Sequence, residues 1–315
     1  MRAAAIFGMG SSTRDLRPFQ DASPGTWQIG LPASDSEADA LVIFGGDGTL
    51  HRHLAQLVRL HLPVLVVPRG SGNDFARALG IHNVRHSLAA WHQFCAGGGN
   101  RRDVDLGLIT QLAHEAEKPG TSPAGSSYWI PHNSHYFACI GGIGLDADVA
   151  RRAHDFPRWV RAHGGYLLAL PAALAKFKPR ETTILVSEQT GKFKPRYTQP
   201  TFLATFANTP AYGGGMRIAP RAQMDDGLLD VCVVRKLKKL KLLSLVPTVY
   251  FGRHLEIQEV DYFRALRLRI ETERPANVFA DGEYVCRTPV EVGVAQNALS
   301  VIVRPPALHQ PGAPS

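Results

Sequence analysis

Leu41-Val42-Ile43-Phe44-Gly45-Gly46-Asp47-Gly48-Thr49 decides the fold. Four apolar residues end in a glycine turn, and an amphipathic pattern begins just after it. Leu50, Leu54, Leu57 and Val58 recur at i, i+4, i+7 and i+8, one face of a helix from about Thr49 to Leu60. Pro63-Val64-Leu65-Val66-Val67 is a second continuous apolar run. Strand, helix, strand at this spacing is a βαβ unit and implies a parallel sheet. A glycine turn at the carboxyl end of such a strand suits an anion. Backbone N–H groups approach it closely, and the next helix offers its positive end. Asp47 beside that anion makes sense with a divalent cation between them. The plainer reading of the same residues is a tight turn with Asp47 as a local cap.

A second glycine turn, Pro68-Arg69-Gly70-Ser71-Gly72-Asn73-Asp74, follows the second strand and leads into Phe75–Leu79, with Gly80 as the stop. Two such turns on neighbouring parallel strands open at one edge of the sheet, where open α/β folds bind ligands. Upstream, Ala3–Phe7 reads as a buried strand with a small-residue turn at Gly8–Ser12, and residues 13–40 take no clear pattern. Downstream, a helix is expected over Arg85–Cys95 and a strand over Asp103–Ile109, then a polar insertion over 111–127.

Past that point short β-like runs dominate: Tyr136–Ile140, Thr182–Ser187, Thr201–Ala207, Leu229–Val234, Leu266–Ile270, Val278–Ala280 and Leu299–Val303. Helical patterns interrupt them at Asp146–Ala153 and Gly165–Lys176. The expected architecture is an α/β domain over 1–109, an antiparallel β-sandwich over 110–304 and a Pro-rich disordered tail over 305–315.

The chain has 315 residues, 44% hydrophobic and 20% charged, which suits a soluble protein with two sizeable cores. A net charge of +8 favours an anionic partner. The four cysteines form no CxxC pair and the thirteen histidines no HExxH, so zinc and redox motifs are not indicated. No apolar run is long enough to span a bilayer.

Three further motifs complete the set: Gly141-Gly142-Ile143-Gly144-Leu145-Asp146-Ala147-Asp148-Val149; Tyr212-Gly213-Gly214-Gly215-Met216-Arg217-Ile218-Ala219-Pro220 with Asp225-Asp226-Gly227-Leu228-Leu229-Asp230-Val231; and Asp281-Gly282-Glu283. Together with the two glycine turns, and in this order, they resemble the diacylglycerol kinase catalytic-domain family, specifically its bacterial lipid kinases and sphingosine kinase-like relatives. The resemblance implies an ATP-binding domain of NAD kinase/phosphofructokinase type before the sandwich, with both substrates in the cleft between them. It implies ATP held by Gly45, Gly46, Asp47, Gly48, Thr49, Leu50 and His51, with Ser71, Gly72 and Asn73 close by. It implies an ordering Mg²⁺ on Asp226 and the carbonyls of Gln223 and Leu228, and a second, nucleotide-bound Mg²⁺ near Asp47. Glu283, with Asp281, would take the proton from a lipid hydroxyl. Set beside these, Asp226-Gly227 and Asp281-Gly282 read locally as hairpin turns, and Asn73 or Asp74 as helix caps.

The sequence departs from the family where His51 and Arg52 replace a usual Asn and Glu. No Walker-type lysine is present; Arg69, Arg14 or a basic residue of the second domain is left to neutralise phosphate. A basic stretch from Arg235 to Phe251 reads as an amphipathic helix, either touching anionic headgroups or covering the sandwich with its leucines. The expected partners are a lipid substrate and a membrane surface, not nucleic acid, for a cytoplasmic protein at the inner membrane face. The rival expectations are an NAD kinase-like enzyme with a soluble acceptor and a non-catalytic relative.

Overall fold

The computed structural model describes residues 1–23, 25–112, 133–154, 165–187 and 191–304. The tail expected over 305–315, and the expected insertion from residue 113 onward, lie outside them. The chain divides into two compact units: Met1–Val104 with the chain from Ala298 onward, and Asp105–Asn297.

In the first unit β1 (Arg2–Phe7), α1 (Arg17–Ala22), β2 (Thr26–Ile29), β3 (Ala40–Gly45), α2 (Asp47–Leu60), β4 (Val64–Pro68), α3 (Asp74–Ala78) and α4 (Val84–Cys95) follow in order. The strands pair in parallel as β4-β3-β1-β2. Every residue of β3 is buried, as a central parallel strand covered on both faces requires. The apolar stripe of α2 is buried as its spacing predicts: Leu50, Leu54, Leu57 and Val58. Residues 13–40, which took no pattern, hold α1 and the edge strand β2. A 3-10 turn at Asp35–Glu37 leads back to the sheet.

Two strands carry the chain between units. The division falls inside β5 (Arg101–Gln111) and, later, inside β15 (Val290–Ile302). The boundaries expected at 109 and 304 differ from these because the end of the last strand belongs to the first sheet. Val301 pairs in parallel with Val64, and the Asn100 side chain donates to Ala90 O and Val303 O.

The second unit holds β6 (Ser134–Phe137), β7 (Ile140–Gly144), α5 (Leu145–His154), α6 (Gly165–Lys176), β8 (Arg180–Ser187), β9 (Phe193–Ala207), β10 (Leu229–Arg235), α7 (Lys239–Tyr250), β11 (Val260–Ala265), β12 (Arg267–Thr272), β13 (Asn277–Ala280) and β14 (Glu283–Arg287). The expected antiparallel sandwich is present. Strand β9 is shared: its first half pairs β8, its second half lies between β7 and β10. The inner faces meet in a core of Phe137, Ile143, Ile184, Phe206, Val231, Leu268 and their neighbours. A second cluster, including Val149, Leu174, Phe177, Phe202, Val234 and Leu242, seats the three helices on the sheet.

One expected strand is split: the run Tyr136–Ile140 breaks at Ala138-Cys139 into β6 and β7. The strand expected over Leu266–Ile270 is β12, and a further strand that was not expected, β11, precedes it. The split has a physical cause in the candidate site.

Candidate functional site

In the first unit three turns meet at the carboxyl ends of β1, β3 and β4. Gly45 is paired with Pro68, and the Arg69 N–H donates to Gly45 O at 3.0 Å. A Cβ on Gly46 would stand 2.7 Å from the Cα of Gly70, and one on Gly70 would stand 2.6 Å from the Cα of Gly46. Backbone meets backbone there, so neither turn tolerates a side chain. Thr49 is packed against the third turn. A Cβ on Gly8 would lie 2.1 Å from its Oγ1. Ser11 Oγ closes that turn, lying 2.7 Å from both Gly8 O and Phe44 O, between which its one proton is shared.

Asp47 ties the turns together. Its Oδ2 accepts from the Asp74 N–H and its Oδ1 from the Phe75 N–H, both at 3.0 Å. The local-cap reading of Asp47 therefore has substance, but the helix it caps is α3, not its own. Asn73 sits in the left-handed region at φ 55°. Its amide accepts from Gly70 N (2.8 Å) and donates to Gly70 O (2.7 Å). The helix-cap hydrogen bond expected of Asn73 is not made: its side chain holds Gly70 and shapes the turn instead. Thr49 and Leu50 are buried, Gly46, Gly48, Gly72 and His51 are half-buried, and Ser71 is exposed. What this builds is a rigid cradle of glycine backbone at the start of α2. The first-turn N–H groups of a helix have no acceptor within the helix, and their partial positive charge suits phosphate. Among the cations weighed for that charge, Arg69 is ion-paired to Asp15. Arg52 donates back to Gly48 O at 3.0 Å, so it serves the first turn of α2.

In the second unit Asp281-Gly282 is the hairpin turn between β13 and β14. Both residues have positive φ, 51° and 84°, as a type I′ turn needs. With Asp281 at positive φ, it and Glu283 do not stand at i and i+2 of one extended chain, so the two carboxylates do not share a side by strand alternation. Its carboxylate accepts from the Ala138 N–H and the Cys139 N–H, each at 2.8 Å, and its own N–H donates to Ile140 O. This is what interrupts the strand at 138–139: those two N–H groups face the carboxylate rather than a neighbouring strand. Glu283 is half-buried at the head of β14, paired across the turn with Ala280. It makes no ion pair among the described residues. A β-bulge follows at once, Val285 being the extra residue between Tyr284 and Cys286. Bulges of this kind re-aim side chains.

The acidic loop expected to hold a metal is pinned by a residue that spacing did not flag. Asp105 is 2% exposed. It accepts from Gly227 N at 2.7 Å and Asn297 N at 2.8 Å, and its N–H donates to Met224 O. Asn208, fully buried, donates to Asp105 O and Ala138 O, which joins the loop to the hairpin's anchor. Asp226 Oδ1 accepts from Leu228 N, and Oδ2 is ion-paired to Arg264. Asp230 lies wholly buried below, with burial pushing its carboxyl above the usual range against the pull of its Tyr262 hydrogen bond. The donors expected here, Asp226 and the carbonyls of Gln223 and Leu228, are all oxygen, which suits a hard cation. The carboxylate already holds a positive charge, the Arg264 guanidinium, which a divalent ion would have to displace.

The Tyr212–Met216 motif also finds a place. The three glycines have positive φ and the Tyr212 N–H closes the loop onto Met216 O at 3.1 Å. Tyr212 and Met216 then wall an apolar cavity of about 100 Å³ with Leu145, Leu242, Leu245 and Val249. His254, 2% exposed, also borders it, and its Nε2 lies 3.1 Å from Ile218 O.

A glycine cradle on a parallel sheet followed by an acidic hairpin on an antiparallel sandwich is an NAD kinase-like fold. The comparisons agree. The description "Diacylglycerol kinase catalytic domain" matches residues 27–109, and "YegS C-terminal NAD kinase beta sandwich-like domain" matches residues 140–303. A diacylglycerol kinase of Mycobacterium tuberculosis is 33% identical over 264 residues, covering 84% of this chain and 76% of its own. One from Bacillus subtilis is 27% identical, with 81% and 74% covered. A diacylglycerol kinase structure from Bacillus anthracis superposes with a TM-score of 0.65 at 19% identity, covering 96% of this chain and 97% of its own. An Archaeoglobus fulgidus NAD kinase in complex with ATP gives 0.53 at 12%, covering 96% and 94%. These last two likenesses are of fold. The chain belongs to the diacylglycerol kinase catalytic-domain family and is a kinase by that membership.

Proposed function

We propose that this protein is an ATP- and Mg²⁺-dependent lipid kinase that transfers the γ-phosphoryl group to a lipid hydroxyl, of a diacylglycerol or a sphingoid base. The observation that carries the lipid half of this reading is the apolar cavity in the unit that also bears the acidic hairpin. A soluble dinucleotide acceptor has no use for walls of Leu145, Leu242, Leu245 and Val249. The nucleotide half rests on the backbone cradle at Gly46 and Gly70, where an added Cβ would meet backbone. Bound magnesium would supply neutralisation of phosphate charge, and Asp226 with the Gln223 and Leu228 carbonyls would hold an ordering ion.

Phosphoryl transfer asks mainly for positioning and charge neutralisation, plus one group to accept a proton. In the proposed step the lipid oxygen forms a bond to the γ-phosphorus and the β–γ bridging bond breaks. ADP leaves with the electron pair, and the hydroxyl proton goes to Glu283. Asp281 has both oxygens committed to backbone N–H groups, so it serves as a positioning residue that fixes the turn preceding Glu283. Asp47 holds the second glycine turn against the first and so shapes the phosphate cradle.

The test uses ATP labelled at the γ-phosphate and offers diacylglycerol, sphingosine or NAD in separate reactions. Label partitioning into organic solvent with one of the lipids is the expected result. Label confined to water, with NAD as the productive acceptor, would establish the soluble-acceptor alternative, and absence of turnover with any acceptor the non-catalytic one.

A further inference from the structure

Helix α7 is apolar on two opposite sides. Leu242, Leu245, Val246 and Val249, at i, i+3, i+4 and i+7, wall the apolar cavity. Leu240, Leu243, Pro247 and Phe251 form a second stripe on the outer side, broken only by Ser244. At 100° per residue, Leu240, Ser244, Pro247 and Phe251 fall almost in one line. Leu240 is 82% exposed, Phe251 75% and Leu243 37%. A surface helix of a globular protein normally turns charged residues outward, so a helix apolar on both sides has two apolar surroundings to satisfy. The cavity and core satisfy one. Among the described residues nothing covers the other.

The charges around the stripe indicate what does. Lys236, Lys238 and Lys239 stand exposed at its amino end. The acidic neighbours are already engaged: Glu259 with Lys241 at 2.6 Å and Glu256 with Arg253 at 3.6 Å. Lys239 Nζ reaches Ala175 O at 2.9 Å and ties α7 to α6 without spending its charge. An apolar stripe beside an unbalanced basic collar complements an anionic lipid surface. A second copy of this chain does not offer that complement, because the same face brings the same lysines and its neighbouring carboxylates Glu259 and Glu256 are already paired.

We propose that the outer face of α7 docks the second unit on anionic bilayers. Leu240, Leu243 and Phe251 enter the boundary between headgroups and acyl chains, and Lys236 and Lys238 meet the headgroup phosphates, the helix lying in the plane of the interface. This deepens the lipid-kinase reading by naming the surface on which the acceptor is met. The helix that touches the bilayer on one side then forms a wall of the apolar cavity on the other.

The experiment is vesicle co-sedimentation without nucleotide and without diacylglycerol, so it does not depend on the kinase reading. The parent protein binds vesicles containing phosphatidylglycerol and leaves pure phosphatidylcholine largely alone. Leu240→Ser and Phe251→Ser each weaken binding about tenfold, one desolvated side chain apiece. Lys236→Gln with Lys238→Gln weakens it at low salt and has little effect at high salt. All four positions are exposed, and unchanged melting temperatures confirm that the variants fold. Parental binding by the Leu240→Ser/Phe251→Ser double variant overturns the proposal. So does a parent dimer that this double variant dissociates, since the stripe would then be a contact between copies. Phosphorylation of a short-chain, water-dispersed acceptor, measured in parallel, reports on the kinase reading alone: the serine variants retain it, and a parent without it fails that reading while leaving the docking result intact.

Discussion

Asp281→Asn separates the two carboxylates of the hairpin. Asparagine tolerates the left-handed backbone at φ 51° and is favoured in a type I′ turn, so the substitution leaves the turn unstrained. What changes is the acceptor count. Asp281 satisfies the N–H groups of Ala138 and Cys139, residues 1% and 2% exposed, through bonds of 2.8 Å each. The amide keeps one acceptor oxygen and turns an NH₂ toward the other N–H, leaving a buried donor facing a donor. An unsatisfied buried N–H costs about 1–3 kcal/mol. For a unit of this size that is a fall in melting temperature of about 3–10 °C. Thermal unfolding measures the cost directly, and steady-state kinetics with a lipid acceptor measures its consequence. The expected Asp281→Asn enzyme is less stable and slower, but not inactive, because the proton acceptor is elsewhere. Glu283→Gln gives the opposite pattern: a melting temperature near that of the parent and a loss of about 10²- to 10⁴-fold in kcat. An Asp281→Asn protein as stable as the parent would refute the anchoring argument. One that is fully stable yet as inactive as Glu283→Gln would make Asp281 a chemical participant.

Two other perturbations probe the first unit and the cavity wall. Gly46→Ala brings a methyl group to 2.7 Å from the Cα of Gly70, where both partners are backbone; overpacking of this kind costs about 1–3 kcal/mol, and the spread turns should bind ATP measurably more weakly by calorimetry. Unchanged affinity would separate the cradle from nucleotide binding. His254 is held below the ordinary imidazole value of 6.5 by burial, against its hydrogen bond to Ile218 O. The unfolded chain therefore takes up this proton first, and stability present above pH 6.5 is lost as the pH falls below it. His53 is shifted the same way, by desolvation and Arg52. Urea unfolding between pH 7.5 and 5, as marked by these two shifts, should show a shallower decline for His254→Leu than for the parent, and an equal decline would exclude His254 as a source.

Local chemistry was legible from residue order. The stripe of α2, the stop at Gly80, the type I′ pair Asp281-Gly282 and the two glycine turns follow from side-chain period and backbone freedom, which act over a few residues. The combination of motifs pointed to the family for the same reason, since each motif is a short piece with its own local requirement. Partners distant in the chain followed another rule. Asp47 reaches 27 residues ahead to cap α3, Asp281 reaches 143 back to split a strand, and Asp105 accepts from a loop 122 residues on. Those contacts exist because folding leaves buried N–H groups that no nearby acceptor can reach, and a carboxylate from elsewhere must meet them. The outer stripe of α7 belongs to the same category. Its leucines and lysines could be read in order, but which face would be covered and which left to solvent was settled only when the sandwich took the other side.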